Sequence, residues 1–320
     1  MRRRDLVLSA GLAWARPSRS QAPWPSRPIT LIVPFAPGGI ADITARTVAR
    51  AMSAALGQTI IVDNRPSAGS VVATAAVAKA APDGYTLLLM SNANAVSTGL
   101  FKSLPFDVVR DLAPITTLGY FGLGIFVSGG SALQTLQDLI RQARARPGRL
   151  TLGSIAVGST QHLSAELFKT QAGIDVLVVP YKGTPAVLTA LRAGEVDVAF
   201  EILGPMLGQV GAHAVRVLAV TSDRRDAALP DVPTVLESGV SGYSVASWNA
   251  LAAPSATPAP VIERLNRAAA EALGQPAVRQ SLQELGVRAQ PSSPKVLQDL
   301  LASEIHRWGD VIRAAKIEPS

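Results

Sequence analysis

Short, nearly continuous apolar runs alternate with longer stretches of helical periodicity along the chain. The first apolar run, Ile29–Phe35, is bounded by prolines and predicts a strand buried on both faces. A Pro-Gly-Gly turn follows it, and apolar positions at helical spacing come next, with Asp42 placed to cap that helix. A second apolar run, Thr59–Asp63, completes a βαβ unit, so we expect the two strands to be parallel.

The same alternation continues to the end of the chain. It predicts further strands at Tyr85–Met90, Leu150–Gly153, Val176–Val179, Val196–Phe200 and Val215–Val220. It predicts helices at Val71–Ala80, Leu136–Arg146, Gln161–Gln171, from the cap Thr184 to Gly194, Pro260–Leu273, Pro276–Leu285 and Pro294–Ala315. The uncharged stretch Leu112–Leu136 is rich in glycine and hydroxyl side chains, which favours buried strands and turns over a membrane-spanning helix. Together the pattern predicts an α/β fold with mainly parallel sheets flanked by helices.

The order of these elements indicates two lobes, the first of them discontinuous. The helical tail after Pro258 has too few strands to fold alone, so we expect it to pack against the first block. The middle block is then an insertion, joined to the first by crossings near Tyr120–Val127 and Gly242–Ser247. The predicted division is residues 23–124 with 244–320 as the first lobe and residues 125–243 as the second.

Residues 1–22 have the features of an export signal. Three consecutive arginines precede an apolar run, Leu6–Ala15, and residues 20–22 resemble a small-x-small cleavage site. The apolar run is too short to span a bilayer. Arg16 and Arg19 follow the apolar run, and the Arg3-Arg4 pair loosely resembles a twin-arginine signal, so both the Sec and the twin-arginine routes stay open. We expect the protein to be exported; the alternative is a disordered basic tail.

The positive charge is concentrated in that leader. Five arginines and one aspartate in residues 1–22 account for +4 of the formal net charge of +7. The remainder has no Lys/Arg-rich run with interleaved aromatic residues, which excludes a nucleic-acid groove. The chain has no cysteine and only three dispersed histidines, which excludes disulfides, thiolate metal sites and a zinc motif. We therefore expect no metal and no cofactor.

The common catalytic motifs are missing from the sequence. It contains no G-x-S-x-G elbow, no P-loop, no H-E-x-x-H pair and no calcium loop. Gly122-Leu123-Gly124 lacks the third glycine and the helix of a dinucleotide fingerprint. We predict a protein without catalytic activity. The alternative is a hydrolase or transferase on the same architecture, since a fold does not decide a function.

Three predicted strand ends open into glycine-rich, uncharged helix starts. They are Phe35–Asp42, Gly153–Thr160 with His162 in the first helical turn, and Tyr181–Pro185. Such ends present backbone N–H groups and the positive end of a helix dipole, which suit a carboxylate. Open α/β sheets bind ligands at the carboxyl ends of their strands, so we expect an anion site there.

Each of these features also has a purely structural explanation. The Pro-Gly-Gly segment could be only a turn, and Ser159-Thr160 could cap their own helix. His162 could be an ordinary core or surface histidine, and Lys182 a solvated loop charge. Glu201, which follows the predicted strand Val196–Phe200, could form a structural pair or contact a ligand amine.

Five motifs stand in order along the chain: Trp24–Gly39 (WPSRPITLIVPFAPGG) with Asp42, Asn64-Arg65, Ala81–Leu87 (APDGYTL), Val179–Gly183 (VPYKG) and Leu229–Thr234 (LPDVPT). Together they resemble the signatures of the Bug family, which are extracytoplasmic solute-binding receptors of tripartite tricarboxylate transporters. The resemblance runs from about Trp24 to the C-terminus. Ser67 stands where the family often has glycine, and Glu201 stands where many members have aspartate, which puts an amino-acid ligand in doubt.

The resemblance implies a two-lobed, type II-like periplasmic binding protein that closes on a small organic carboxylate. Its partners would be that ligand and the membrane subunits of the transporter, with no nucleic acid, and the chain would be a monomer. A sensor that passes the bound state to a signalling kinase is the alternative role. The expected ligand-binding residues are Phe35, Ala36, Gly38, Gly39, Ala41, Asp42, Ser91, Asn92, Gly158, Ser159, Thr160, His162, Lys182, Gly183, Thr184 and Glu201.

Overall fold

Ten strands form one continuous sheet in the computed structural model, which describes residues 24–319. The strands are β1 Ile29–Val33, β2 Ile60–Asn64, β3 Thr86–Ser91, β4 Leu112–Ser128, β5 Thr151–Ile155, β6 Leu177–Tyr181, β7 Val198–Ile202, β8 Val215–Val220, β9 Ala246–Pro254 and β10 Val287–Ala289. The predicted export signal at residues 1–22 lies outside the described residues.

Ten α-helices flank this sheet within residues 24–319. They are α1 Ile40–Leu56, α2 Val71–Ala78, α3 Asn92–Leu100, α4 Leu136–Ala145, α5 Thr160–Ala172, α6 Thr184–Ala193, α7 Leu203–Gly211, α8 Ala259–Gly274, α9 Pro276–Glu284 and α10 Pro294–Ala314. In this part of the chain no helix is both long enough and apolar enough to cross a bilayer.

The sheet has two halves that share β4. The strand order is β2-β1-β3-β9-β4 in the first half and β6-β5-β7-β4-β8 in the second. β1 is parallel to β2 and β3, and β5 is parallel to β6 and β7, which confirms the parallel-strand prediction for these strands. The prediction is wrong in the middle, where β4 and β9 are antiparallel to each other and to their other neighbours. The reason is that these two strands carry the chain between the halves in opposite directions.

The 17-residue strand β4 joins the two halves. Its first part pairs with β9, and from Leu123 onward it pairs with β7 and β8. We expected several strands and turns here because of the glycines. Gly119 and Gly124 instead lie where the structure is crowded: a Cβ would approach the carbonyl oxygen of Arg288 to 2.7 Å at Gly119, and the ring of Phe126 to 2.7 Å at Gly124. These glycines permit close packing rather than a change of direction.

The molecule is a two-lobed α/β protein, as predicted. β4 changes partners inside the predicted crossing Tyr120–Val127, and the second predicted crossing, Gly242–Ser247, leads into β9. The lobe boundaries at residues 124/125 and 243/244 stay a prediction. Below, residues 125–243 are called the second half and the other described residues the first half.

The C-terminal helices pack on the first half, as expected from their lack of strands. α8 lies against α1 and β4, whereas α10 lies against α3 and β4. The core on one side of the first half, here called the α1 face, contains Val48, Leu89, Leu251 and Leu265. The core on the other side, the α3 face, contains Leu88, Ala250 and Trp308 and continues into the second half. Burial of one large apolar side chain contributes about 1.5–3 kcal/mol, so these two layers hold the helices on the sheet.

The helices α3 and α7 were not predicted. α3 contains Asn92, Asn94 and Gly99, which are poor helix formers, and it is held by a capping box between Ser91 and Asn94. α7 contains three glycines and a proline in nine residues. Tertiary contacts and caps override helix propensity in both segments, which is why the sequence pattern did not reveal them.

Candidate ligand-binding site

The first candidate segment is the loop between β1 and α1. Gly39, with an extended backbone, precedes α1 as its N-cap, so the prediction that Asp42 caps this helix is wrong. Asp42 lies in the first turn of α1 and is 2% exposed. Its carboxylate accepts hydrogen bonds from the Gly38 N–H at 2.9 Å, from Asn64 Nδ2 at 2.8 Å and from Arg46 Nε at 3.0 Å. Burial alone would raise the pKa of Asp42, but these donors lower it, so the carboxylate is ionised and fastens the loop.

The N-terminus of α1 keeps unpaired donors. The N–H groups of Gly39, Ile40 and Ala41 have no hydrogen-bond partner among residues 24–319, as is usual for the first turn of a helix. Residues Ala36 to Gly39 are exposed, and Phe35 is partly buried against the α1-face core. The expected anion-binding donors are therefore present at Gly39 and Ala41, whereas the Gly38 N–H is already used by Asp42.

The second candidate segment is the end of β3. Ser91 is the N-cap of α3, and its Oγ accepts from the Ala93 N–H at 3.3 Å. Asn92 is 1% exposed, and both ends of its amide are engaged. Oδ1 accepts from Trp308 Nε1 at 2.8 Å, and Nδ2 donates to Thr160 Oγ1 at 3.2 Å. Because Thr160 belongs to the second half, this hydrogen bond joins the two halves directly.

The third candidate segment, Gly158–His162, begins α5. Ser159 caps α5, since its Oγ accepts from the His162 N–H at 3.1 Å, which confirms the capping explanation for Ser159. His162 is 6% exposed, its Nδ1 faces the Gly158 N–H at 3.5 Å, and burial lowers its pKa, so the ring is neutral at pH 7. Gly158 has a φ of +80°, and a side chain there would collide with Leu100 of α3.

The fourth candidate segment joins β6 to α6 beside the end of β7. Gly183, with a φ of +99°, is the N-cap of α6, so the prediction that Thr184 caps it is wrong. The Thr184 hydroxyl instead donates to Glu201 Oε2 at 3.0 Å. Gln161 Nε2 donates to the same oxygen at 3.3 Å. Lys182 is exposed and forms no ion pair with another described residue.

Glu201 is a buried carboxyl group with one free oxygen. It is fully buried, its Oε2 also accepts from the Ile202 N–H at 3.2 Å, and its Oε1 has no partner among residues 24–319. Burial raises the pKa of Glu201, and the three hydrogen bonds to Oε2 oppose this effect without cancelling it. The group lies at the end of β7, between the starts of α5 and α6, neither of which has an acidic residue in its first turn.

The structure brings the candidate residues together in two sets. Asn92, the neighbour of Ser91 in the chain, bonds to Thr160 where the halves touch. In the second half, Thr184 and Glu201 form a cluster together with Gln161, which was not a candidate. No hydrogen bond joins the loop Phe35–Asp42 to the second half among the described residues. In the same part of the chain, no group of three or more His, Asp and Glu side chains is placed to hold a metal ion.

Sequence reasoning missed the supporting roles of four residues that hold candidate side chains in place. Asn64 and Arg46 hold Asp42, Gln161 reaches Glu201, and Trp308 orients Asn92. Gln161 could have been found, because it follows Thr160 in the first turn of a predicted helix. Trp308 could not, since 216 residues separate it from Asn92 and no local pattern links them.

Helix N-termini and polar groups lie at the carboxyl ends of strands in both halves, and the halves are joined by two long strands. This arrangement defines the class of two-lobed solute-binding proteins. The model of the tripartite tricarboxylate transporter family receptor matches residues 44–317. This chain therefore belongs to that receptor family, and the resemblance to Bug receptors is confirmed.

Relatives and solved structures agree with this assignment. BugT of Bordetella pertussis is 37% identical over 292 residues, which are 91% of this chain and 90% of BugT. An R. palustris protein solved with adipate is 36% identical, with a TM-score of 0.81 and coverage of 93% of this chain and 100% of that chain. MatC from Rhodopseudomonas palustris, with bound malate, is 32% identical, with a TM-score of 0.77 and coverage of 90% and 100%.

Proposed function

We propose that this protein is a periplasmic receptor that captures a small organic carboxylate, such as a di- or tricarboxylate, for a tripartite tricarboxylate transporter. The observation that carries the proposal is the row of free N–H groups at Gly39, Ile40 and Ala41, at the start of α1. Family membership supports the role, and adipate and malate bound to similar proteins support the ligand class. The export signal predicted in residues 1–22 supports the periplasmic location.

The free N–H groups alone give modest affinity. The dipole of one helix contributes about 0.3–1 kcal/mol to an anion, and up to about 2 kcal/mol when the site is partly buried. A micromolar dissociation constant needs about −8 kcal/mol. The remainder must come from hydrogen bonds made away from water, so we propose that the halves close on the ligand.

Glu201 adds selectivity to this site. When protonated, its Oε1 donates a hydrogen bond to a ligand carboxylate; when ionised, it accepts one from a hydroxyl or ammonium group and repels a second carboxylate. Burial raises the pKa of Glu201, so its carboxyl group takes up a proton readily. We therefore expect Glu201 to be protonated, and not ionised, when a ligand carboxylate binds beside it.

We propose that binding occurs without chemistry. Two polar groups that could serve as nucleophile or base are already engaged: the Ser159 hydroxyl caps α5, and Asp42 holds the loop before α1. We expect the purified protein to turn over none of a panel of acyl and phosphoryl substrates. Turnover that copurifies with the protein would favour the hydrolase or transferase alternative.

The direct test is a binding screen of the exported, mature protein. Thermal melting with mono-, di- and tricarboxylates, amino acids and aromatic acids is expected to show stabilisation by a di- or tricarboxylate, and calorimetry then gives its Kd. Stabilisation by amino acids alone, or by no member of the panel, would contradict the proposal. Mass spectrometry of the exported chain gives the cleavage site, and a chain that still starts at Met1 would contradict the periplasmic assignment.

A further inference from the structure

Several buried side chains of the first half have an unpaired polar atom, and Asn249 differs from the others among residues 24–319 because two of its polar atoms are unpaired. Asn249, in β9, is 1% exposed, and both its Nδ2 and its Oδ1 are buried and unpaired among residues 24–319. An amide in this condition has lost its hydrogen bonds to water and gained none in return. Such groups are rare in native proteins and usually meet an ordered water or a ligand.

The other buried asparagines of the first half are fully engaged. Asn94 accepts from the Ser91 N–H at 2.9 Å and donates to Thr74 Oγ1 at 2.8 Å. Asn92 uses both ends of its amide, as described above. The unpaired amide of Asn249 is therefore a local feature and not a general property of this fold.

The strand register places Asn249 beside the candidate site. It lies directly opposite Ser91, the last residue of β3. Opposed residues of antiparallel strands point to the same face, with Cβ atoms about 4.5–5.5 Å apart. Two residues along β9, Leu251 belongs to the α1-face core, so the side chain of Asn249 also lies on the α1 face.

The N-terminus of α1 is at the same edge of the same face. β1 and β3 are parallel, with Ile32 opposite Leu88. Three residues further along, Phe35 is therefore level with Ser91 and with Asn249, the partner of Ser91 on β9. The loop to α1 begins at Phe35. The unpaired amide and the free N–H groups of α1 therefore lie on one side of the sheet, at the ends of neighbouring parallel strands.

We propose that Asn249 is a ligand-contact residue, and that it receives a carboxylate together with an adjacent hydrogen-bond donor, as found in a 2-hydroxy acid. Nδ2 donates to a carboxylate oxygen, and Oδ1 accepts from the hydroxyl on the neighbouring carbon. A plain carboxylate has no donor and would leave Oδ1 unpaired. This inference rests on the proposed receptor function and adds the substrate class to it.

The test compares acids that differ by one hydroxyl: L-malate with succinate, 2-hydroxyglutarate with glutarate, and citrate with tricarballylate. The wild-type protein is expected to bind the hydroxy acid of a pair about tenfold more tightly or better, because the plain acid leaves a buried acceptor unpaired. Asn249→Leu is expected to weaken hydroxy-acid binding about tenfold to a hundredfold and to remove the preference. Calorimetry measures the Kd values, and the Tm of the free variant is expected to be unchanged or raised.

Two further variants make the result decisive. Asn249→Ala repeats the test with a side chain too small to clash with its neighbours or with a ligand. Asn266→Leu is the matched control: Asn266 Nδ2 already donates to the carbonyl oxygens of Ile115 and Ser292 at 2.8 Å each, so its loss lowers Tm and leaves the acid preference unchanged.

The outcomes separate this inference from the receptor function. If the wild type binds acids but both Asn249 variants bind them equally well, Asn249 holds only water, and the inference is overturned while the receptor function stands. Equal wild-type affinity for both members of each pair overturns it as well. Failure of the wild type to bind any acid overturns the receptor function and, with it, the role of Asn249.

Discussion

Glu201 illustrates the cost of a buried carboxyl group that forms no ion pair with a cation of the described residues. Three donors converge on its Oε2, while its Oε1 is buried and unpaired. Burial raises the pKa of Glu201 in the folded protein above its value in the unfolded chain. The folded state therefore binds this proton more tightly, so the stability of the protein falls as the pH rises from the unfolded pKa through the folded one.

The variant Glu201→Gln tests this argument. Glutamine has the same shape and keeps an oxygen for the three donors but cannot ionise. We expect the variant to be more stable than the wild type at neutral pH, by about 1.4 kcal/mol for each pH unit between the unfolded and folded pKa values, with the difference shrinking as the pH falls. Urea unfolding from pH 4 to pH 8 measures it. A variant that is less stable at pH 7 would show that ionised Glu201 stabilises the fold.

Gly38 and Gly39 are adjacent in the loop before α1, but their backbone conformations place different demands on the residue type. Gly38 has a φ of +84°, where any other residue is strained, whereas Gly39 has a φ of −82° and room for a Cβ, with no atom nearer than 3.9 Å. Gly38→Ala is expected to cost about 1–2 kcal/mol of stability. Gly39→Ala is expected to keep the wild-type Tm but weaken carboxylate binding, because its methyl group stands beside the free N–H groups.

Melting curves and calorimetry on this pair of variants separate the two roles. A Gly39→Ala protein that binds carboxylates as the wild type does would remove the N-terminus of α1 from the site. An unchanged Tm for Gly38→Ala would show that the loop adapts without needing the positive φ.

At the scale of helices and strands, the sequence predicts the elements whose apolar residues repeat at a short period. It misses the features that depend on contacts between residues far apart in the chain. The succession of β1, α1 and β2 follows from local apolar periodicity, and the three C-terminal helices follow from their starting prolines. Two caps were misassigned, at Asp42 and Thr184, because in each case the side chain bonds to a group brought near by the fold. The glycines of β4 predict turns when the sequence is considered locally. They are needed because other parts of the chain crowd this strand, and such crowding leaves no signal in the local sequence.

The candidate site divides in the same way. Its loops could be predicted, because glycines and helix starts follow strands in the sequence. The unpaired amide of Asn249 could not, since its environment is set by the pairing of β9 with β3 and β4, which join segments far apart in the chain. The link from α10 to α3 through Trp308 is hidden for the same reason.

That link gives a prediction with a close control. Trp308 and Trp248 are both buried in the α3-face core, at 0% and 1% exposure. Trp308 Nε1 donates to Asn92 Oδ1 at 2.8 Å and to Glu304 Oε2 at 2.7 Å, whereas Trp248 Nε1 has no partner among the described residues. Both substitutions to phenylalanine remove similar volume, so Trp308→Phe is expected to destabilise the protein by about 1–3 kcal/mol more than Trp248→Phe.

Denaturant unfolding of both variants measures this difference, and calorimetry adds a functional readout. Trp308→Phe leaves Asn92 less firmly oriented toward Thr160, so we also expect weaker ligand binding in this variant alone. Equal destabilisation by the two substitutions would mean that the indole hydrogen bonds of Trp308 contribute nothing beyond packing.

At the scale of the whole molecule, the halves touch on two sides of the crossing strands. On one side, Asn92 bonds to Thr160 and Gly158 lies against Leu100. On the other side, Gly204 of α7 lies against the segment just before β10. A Cβ added at Gly204 would collide with the carbonyl oxygen of Leu285 and lie 3.2 Å from the carbonyl carbon of that residue. This second contact is beside the point where β4 changes partners, since β7 and β10 both pair with β4 there. We therefore expect this contact to limit the angle between the halves and, with it, the proposed closure on a ligand.

Gly204→Val tests this role of the contact between the halves. The valine wedges against rigid backbone, so the halves settle at a different angle, the binding-competent state becomes less populated and the apparent Kd rises in proportion. Gly208→Val is the matched control, because Gly208 is in the same helix with no atom within 4 Å of the added Cβ. We expect Gly204→Val to weaken carboxylate binding at least about tenfold, a penalty of about 1.4 kcal/mol or more. X-ray scattering is expected to show a decrease in radius of gyration when the wild type binds its ligand, and no such decrease in Gly204→Val. If both variants bind and compact equally, the contact at Gly204 plays no part in closure, and the motion must be governed at the Asn92–Thr160 side instead.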